Sequence, residues 1–186
     1  MSNTNIDFDF IHQLEGFSYK GYVPAPETSK SGVTVAAGFD IGQCSAQEIT
    51  SNFTQELADK LLPYVGKIKQ EACAALEHIP LTITDDDAKQ ITDFTTGTAV
   101  ARLNNEWNNS ASSLEFDQLA TQCATVIASV AFQYGSLPKR TPNFWYQVTE
   151  GHWHDALANL RNFGDKYPTR RNKEADLLES WLKTQS

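Results

Sequence analysis

The chain has 186 residues, 40% of them hydrophobic and 20% charged, with a formal net charge of −8. A chain of that size and composition buries a core without disulfides or metal, and its acidity excludes a nucleic-acid binder, which needs a basic face. No apolar run approaches the roughly 20 residues of a membrane span, so no membrane insertion is expected.

In chain order, the start MSNTNIDFDF has neither the basic nor the apolar segment of a signal peptide. The expectation is synthesis in the cytoplasm without a leader. Ile6, Phe10, Ile11 and Leu14 recur at helical spacing, and Gly16 ends that first helix. Residues 16–43 are punctuated by Gly16, Gly21, Pro24, Pro26, Gly32, Gly38 and Gly42 and contain the β-branched run Val33-Thr34-Val35, which predicts a loop with a small hairpin or sheet. From Ser45 the pattern is helical to the end. Ser45-Ala-Gln-Glu48 reads as a capping box and Thr84-Asp-Asp-Asp87 as a weaker one. The stretch 115–134 is apolar over most of its circumference and reads as the most buried helix, stopped by Gly135. Thr141-Pro142 starts another helix, with Thr as N-cap and Pro at the first position. A short helix follows from Trp153 to Phe163, and Thr169 caps a last one ending near Leu182. The fold class is α+β, one domain over 1–186, with a small β-containing lobe at 1–60 and a larger helical lobe at 61–186.

Two acids flank the β element, Glu15 before it and Asp40 after it. Glycoside cleavage needs such a pair: one carboxylic acid protonates the leaving oxygen, and a second carboxylate activates water or steadies the developing cation. Glu15 lies between Leu14 and Phe17, a partly apolar setting of the kind that suits a proton donor. A Glu at a helix C-terminus also faces the negative end of the macrodipole, which points to a use other than stability. Thr34 lies an even number of residues before Asp40; along extended chain both would share a face, and the hydroxyl would hold the attacking water. Glu27 is the rival second acid.

These segments resemble the phage-type lysozymes, the muramidases. Their pattern is a helix-terminal Glu-Gly, a Tyr-containing turn, then Gly-x-x-Thr-x-Gly-x-Gly in a hairpin. Leu14-Glu15-Gly16-Phe17, Gly21-Tyr22 and Gly32-Val33-Thr34-Val35-Ala36-Ala37-Gly38 take those places. Val130-Ala131-Phe132-Gln133-Tyr134-Gly135 resembles the family's cleft-lining helix, the stretch from Gly151 to Leu160 its next helix, and Pro168-Thr169-Arg170-Arg171 the start of its C-terminal helix. The family's usual second-acid position reads Tyr22-Val23-Pro24 here, and an Asp follows the second hairpin glycine instead: Gly38-Phe39-Asp40-Ile41-Gly42-Gln43. That order resembles the pesticin branch of bacterial toxin muramidases.

The resemblance implies a lysozyme-like fold and cleavage of the β-1,4 link between N-acetylmuramic acid and N-acetylglucosamine in peptidoglycan. It implies Glu15 as general acid, Asp40 with Thr34 as the water-handling pair, and Tyr22 and Gln133 as glycan contacts. It further implies an arginine, Arg170 or Arg171, that supports the catalytic glutamate. No metal or organic cofactor is implied. The partners expected are peptidoglycan glycan strands and a holin, secretion machinery or cognate immunity protein, with action on the cell wall in the bacterial periplasm after release or injection. The alternative is a catalytically inactive peptidoglycan-binding or interaction module on the same fold.

Other constellations carry less. The three cysteines, Cys44, Cys73 and Cys123, have no disulfide or zinc spacing and read as small core hydrophobes. A cysteine-protease reading of Cys123 with His12 or His78 puts the thiol inside an apolar helix, where a thiolate is disfavoured. His152 and His154 flank Trp153 at a spacing that does not share a helix face, which disfavours zinc. Phe144, Trp145 and Tyr146 read as core or rim aromatics.

Overall fold

The computed structural model describes residues 5–185. The ends of the 1–186 domain and the first four residues read for a leader lie outside them. The chain divides into two compact units, Glu15–Gly97 and Met1–Leu14 with Thr98–Ser186. Each has its own core.

The first unit is built on a three-stranded antiparallel sheet in the order β1 (Ser18–Tyr22), β2 (Thr34–Ala36), β3 (Phe39–Asp40). The β2–β3 turn needs left-handed backbone, which Gly38 supplies at φ 93. Ala36 has φ 54, a conformation that costs an L-residue roughly 1–2 kcal/mol. Beyond β1 the sheet is extended by the segment around Thr82, where Gly21 N–H donates to Leu81 O and Ile83 N–H to Tyr19 O, both at 2.9 Å. The helices α2 (Ala46–Asn52), α3 (Gln55–Leu61) and α4 (Lys69–His78) follow. Their apolar residues, including Ile49, Leu57, Leu61 and Ala72, close a core with Val33, Val35 and Ile41 in and beside the strands. These helices belong with the sheet, so the unit runs on to Gly97 rather than ending near residue 60.

The long helix α5 (Asp85–Asn108) supplies residues to both units. Its start is a full capping box. Asp87 N–H donates to Thr84 Oγ1 at 3.2 Å, and Thr84 N–H donates to Asp87 Oδ2 at 2.9 Å. Lys60 adds an ion pair to the same carboxylate at 2.8 Å. Burial pushes the Asp87 carboxyl up, but the Lys60 and Thr84 hydrogen bonds outweigh it and hold it below the usual range. At α2 the Ser45 half of the expected box forms, with Glu48 N–H donating to Ser45 Oγ at 3.1 Å.

The second unit holds α1 (Phe8–Leu14), α6 (Thr121–Tyr134), α7 (Leu137–Arg140), α8 (Pro142–Thr149), α9 (Trp153–Arg161) and α10 (Pro168–Leu182). Every residue of α6 from Cys123 to Ala131 is buried, as its sequence predicts. Its start is later than expected. Glu115 and Gln118 close their own capping box around a 3₁₀ turn at Phe116–Gln118, so the helix begins afresh at Thr121. Gly135 ends it at φ 78. Neither Thr141 nor Thr169 caps a helix through its side chain. Thr141 Oγ1 donates back to Leu137 O at 3.3 Å, and α10 starts one residue before Thr169, at Pro168. In both helices proline holds the first turn. α1 is tied to α6 by Asp7 N–H donating to Thr125 Oγ1 at 2.8 Å.

Candidate active site

The sheet unit carries Glu15, Tyr22, Thr34 and Asp40. Thr34 and Asp40 are direct cross-strand partners in the β2–β3 ladder, so their side chains share one face of the sheet. The expected face is right, but its cause is different. The hairpin turn breaks the extended run, and antiparallel pairing restores the coincidence. On the other side of Thr34 lies Tyr22, its partner on β1 and 42% exposed. Glu15, partly buried, sits on the bend between α1 and β1, where the chain enters the sheet at the Ser18–Ala36 end.

Asp40 is anchored by backbone. Gly32 N–H and Gly42 N–H both donate to Oδ1, at 2.9 and 3.1 Å. The second of these caps the 3₁₀ turn at Ile41–Gln43. The two glycines are required by a close approach of main chain. A Cβ on Gly32 would stand 2.5 Å from Gly42 Cα and one on Gly42 2.7 Å from Gly32 Cα, and both would run into the Lys67 carbonyl oxygen. Among the described residues none donates to Asp40 Oδ2. Thr34 is only 3% exposed, and its hydroxyl donates to Gly32 O at 3.2 Å, so its oxygen is presented as an acceptor. Cys44 beside Asp40 has its thiol pushed up to about 11 by burial, with Glu48 and Asp40 adding to the effect. The rival acid Glu27 is exposed and accepts from Gln70 Nε2 at 2.6 Å.

The helical unit carries Gln133, Arg170 and Arg171 in one buried polar cluster. Arg171 is 1% exposed and gives each of its three nitrogens to a different acceptor: Nε to Asp165 Oδ2 at 2.9 Å, Nη1 to Glu174, and Nη2 to Gln133 Oε1. Arg170 donates from Nε to Glu174 Oε1 at 3.2 Å and from Nη2 to Ser129 O at 2.9 Å. Glu174, 0% exposed, therefore lies between two guanidinium groups and also accepts from the Ser129 hydroxyl. Burial pushes its carboxyl up, against the pull of Arg171, Ser129 and Arg170. Asp165 ends below the usual range, because its bonds from Tyr134, the Tyr167 N–H and Arg171 outweigh burial. Desolvation, with Asp165 adding to it, pushes the Tyr134 hydroxyl up to about 12. Asp165, Glu174 and Ser129 were not singled out in the sequence; a buried Glu next to Arg-Arg on an α10 face was the available signal.

The remaining motifs resolve simply. Cys123 is buried, with its thiol pushed up to about 12 by desolvation, while Cys44 and Cys73 are half-buried. Phe144 is core, whereas Tyr146 is exposed and meets the His152 ring edge-on at 5.6 Å. Among curated proteins, none matches the chain significantly. One family model does match, over residues 5–154, described as pesticin, a bacterial toxin homologue of phage lysozyme, C-terminal part. The matched span includes Glu15, Tyr22, Thr34, Asp40 and Gln133 and stops before Arg170 and Arg171. With most of its length inside that match, the chain belongs to the pesticin family of lysozyme-like, muramidase-type peptidoglycan hydrolases.

Proposed function

We propose that this protein cleaves the β-1,4 bond between N-acetylmuramic acid and N-acetylglucosamine, with Glu15 as general acid and Asp40 as general base. The observation that carries this reading is the Thr34–Asp40 pair. Gly32 and Gly42 hold Asp40 Oδ1, which leaves Oδ2 as an acceptor on the sheet face that Thr34 shares. A water donating one proton to each would turn its lone pair toward the anomeric carbon. As the C–O bond to the leaving sugar breaks, Glu15 gives its proton to the departing oxygen and Asp40 takes one from the water. Direct attack by water inverts the anomeric centre. The substrate strand lies outside the cytoplasm, so action follows release or injection across the inner membrane.

The test is release of reducing ends from purified sacculi. Wild type should release them, Glu15→Gln should not, and the first product anomer seen by NMR should be inverted. Asp40→Asn is informative because the Asn Oδ1 still accepts both glycine N–H groups, so the hairpin survives while the base is gone. A loss of about 10²-fold or more at unchanged melting temperature is expected. The same two backbone bonds also favour a second reading, in which Asp40 only ties the hairpin and the domain binds peptidoglycan without cutting it. Unchanged activity in Asp40→Asn would reduce Asp40 to that tie. Binding of sacculi by wild type with no reducing ends released would establish the inactive module.

A further inference from the structure

We infer that Lys69 is a positioning residue for Asp40, acting through its main-chain N–H on the one peptide group that joins Ser31 to Gly32. The inference deepens the general-base reading of Asp40 and rests on it for the effect on rate.

The Gly32 N–H that donates to Asp40 Oδ1 at 2.9 Å belongs to the same peptide group as the Ser31 carbonyl. That carbonyl accepts from the Lys69 N–H, also at 2.9 Å. A trans peptide is planar, with its C=O and N–H pointing opposite ways, so a partner that fixes the oxygen also aims the hydrogen. An accepting carbonyl further polarises its own N–H and strengthens the bond that the N–H donates. Lys69 is the first residue of α4, and an N–H in the first turn has no partner inside its own helix. Here that spare donor goes to Ser31. Its aim depends on an uncommon backbone, because Lys69 has φ 54, in the left-handed region. The Lys69 side chain is exposed, so what the residue gives to this junction is main chain.

Neighbouring contacts hold the rest of the junction. Gly66, at φ 71, turns the chain ahead of Lys67, whose carbonyl lies against both Gly32 and Gly42. Ile68 forms an antiparallel bridge with Gly32. On the other side, the Ser31 N–H donates to Ser29 Oγ at 2.8 Å. The segment 66–69 is thus a strap across the back of the Asp40 anchor, and Lys69 is the point at which it grips the peptide that holds the carboxylate.

The experiment reads that peptide directly by NMR and through kcat and KM on sacculi. Substitutions at Lys69 are graded by their tolerance of left-handed backbone: Gly and Asn adopt it, and β-branched residues resist it. Lys69→Val should draw the N–H away from Ser31 and move the Gly32 amide proton upfield as its bond to the carboxylate weakens. It should lower kcat about tenfold or more with KM changed by less than about twofold. Lys69→Gly and Lys69→Asn should restore the wild-type Gly32 amide position, and kcat with it. Lys69→Thr is read in place of Lys69→Val if the valine variant does not fold. The inference is overturned by an unmoved Gly32 amide or an unchanged kcat in the folded β-branched variant, or by a loss of kcat that Lys69→Gly shares. Wild type that releases no reducing ends overturns the muramidase reading alone, and the Gly32 amide then decides whether Lys69 positions Asp40.

Discussion

The two units hold their candidate site groups by opposite means. In the sheet unit the Asp40 carboxylate is tied by two main-chain N–H groups, brought together because Gly32 and Gly42 have no side chains to keep their two segments apart. In the helical unit Gln133 is oriented by a chain of charged side chains that meet at the fully buried Glu174. A backbone tie is indifferent to charge and intolerant of volume. A side-chain cluster tolerates volume better but fails when one charge is left without its opposite.

The largest expected effect tests the second half of that contrast. Glu174→Ala leaves the arginines buried without their shared carboxylate and should cost about 3–5 kcal/mol, read as a large drop in denaturant midpoint. Gly42→Ala tests the first half. Its methyl has no room against Gly32 and the Lys67 carbonyl, and the cost should be about 3 kcal/mol, with activity lost because the Asp40 anchor moves. Raising the salt concentration should leave the Gly42→Ala deficit unchanged.

Acid separates the units more gently. Asp87 in the sheet unit has a depressed carboxyl, so its contribution is complete above the unfolded value of about 3.9 and disappears as pH falls through the folded value. Asp165 behaves the same way in the helical unit. Glu174 has the opposite sign: its raised carboxyl takes up a proton more readily when folded, so its contribution grows as pH falls. The two offset each other in the helical unit, and hydrogen exchange should show the sheet unit losing protection first on acidification. Asp87→Asn should remove most of that difference. The smallest effect is stabilising. Ala36 occupies a left-handed position at the place where the lysozyme pattern has glycine, so Ala36→Gly should relieve the strain at some cost in chain entropy. A gain of about 0.5–1 kcal/mol in the sheet unit, measured by thermal melting, is expected.

What could be read in advance was local. Helical spacing gave α1 and the buried α6, and short-range chemistry gave the Thr84–Asp87 box, the Pro142 start and the Gly135 stop. Thr141 is the N-cap residue of α8 and Pro142 opens the helix, as expected, but the Thr141 hydroxyl makes no capping bond. Thr169 is not a cap, because α10 begins at Pro168, which already fixes the first turn. The shared face of Thr34 and Asp40 comes from cross-strand pairing, which period-two counting cannot give because it does not see a turn inside the window. The Arg171–Gln133 bond joins residues 38 apart in sequence and leaves no periodic trace, so the commitment of Arg171 was invisible until the helices were placed.

The mutual contact of Gly32 and Gly42 bears on how distant kin should be recognised. An acid at position 40 could be traded or shifted by drift and the chemistry rebuilt around it, but two segments that touch through bare α-carbons admit no substitute residue. The paired glycines, read together with the Thr between them, should thus be a more durable fingerprint of this hairpin than the carboxylate they cradle.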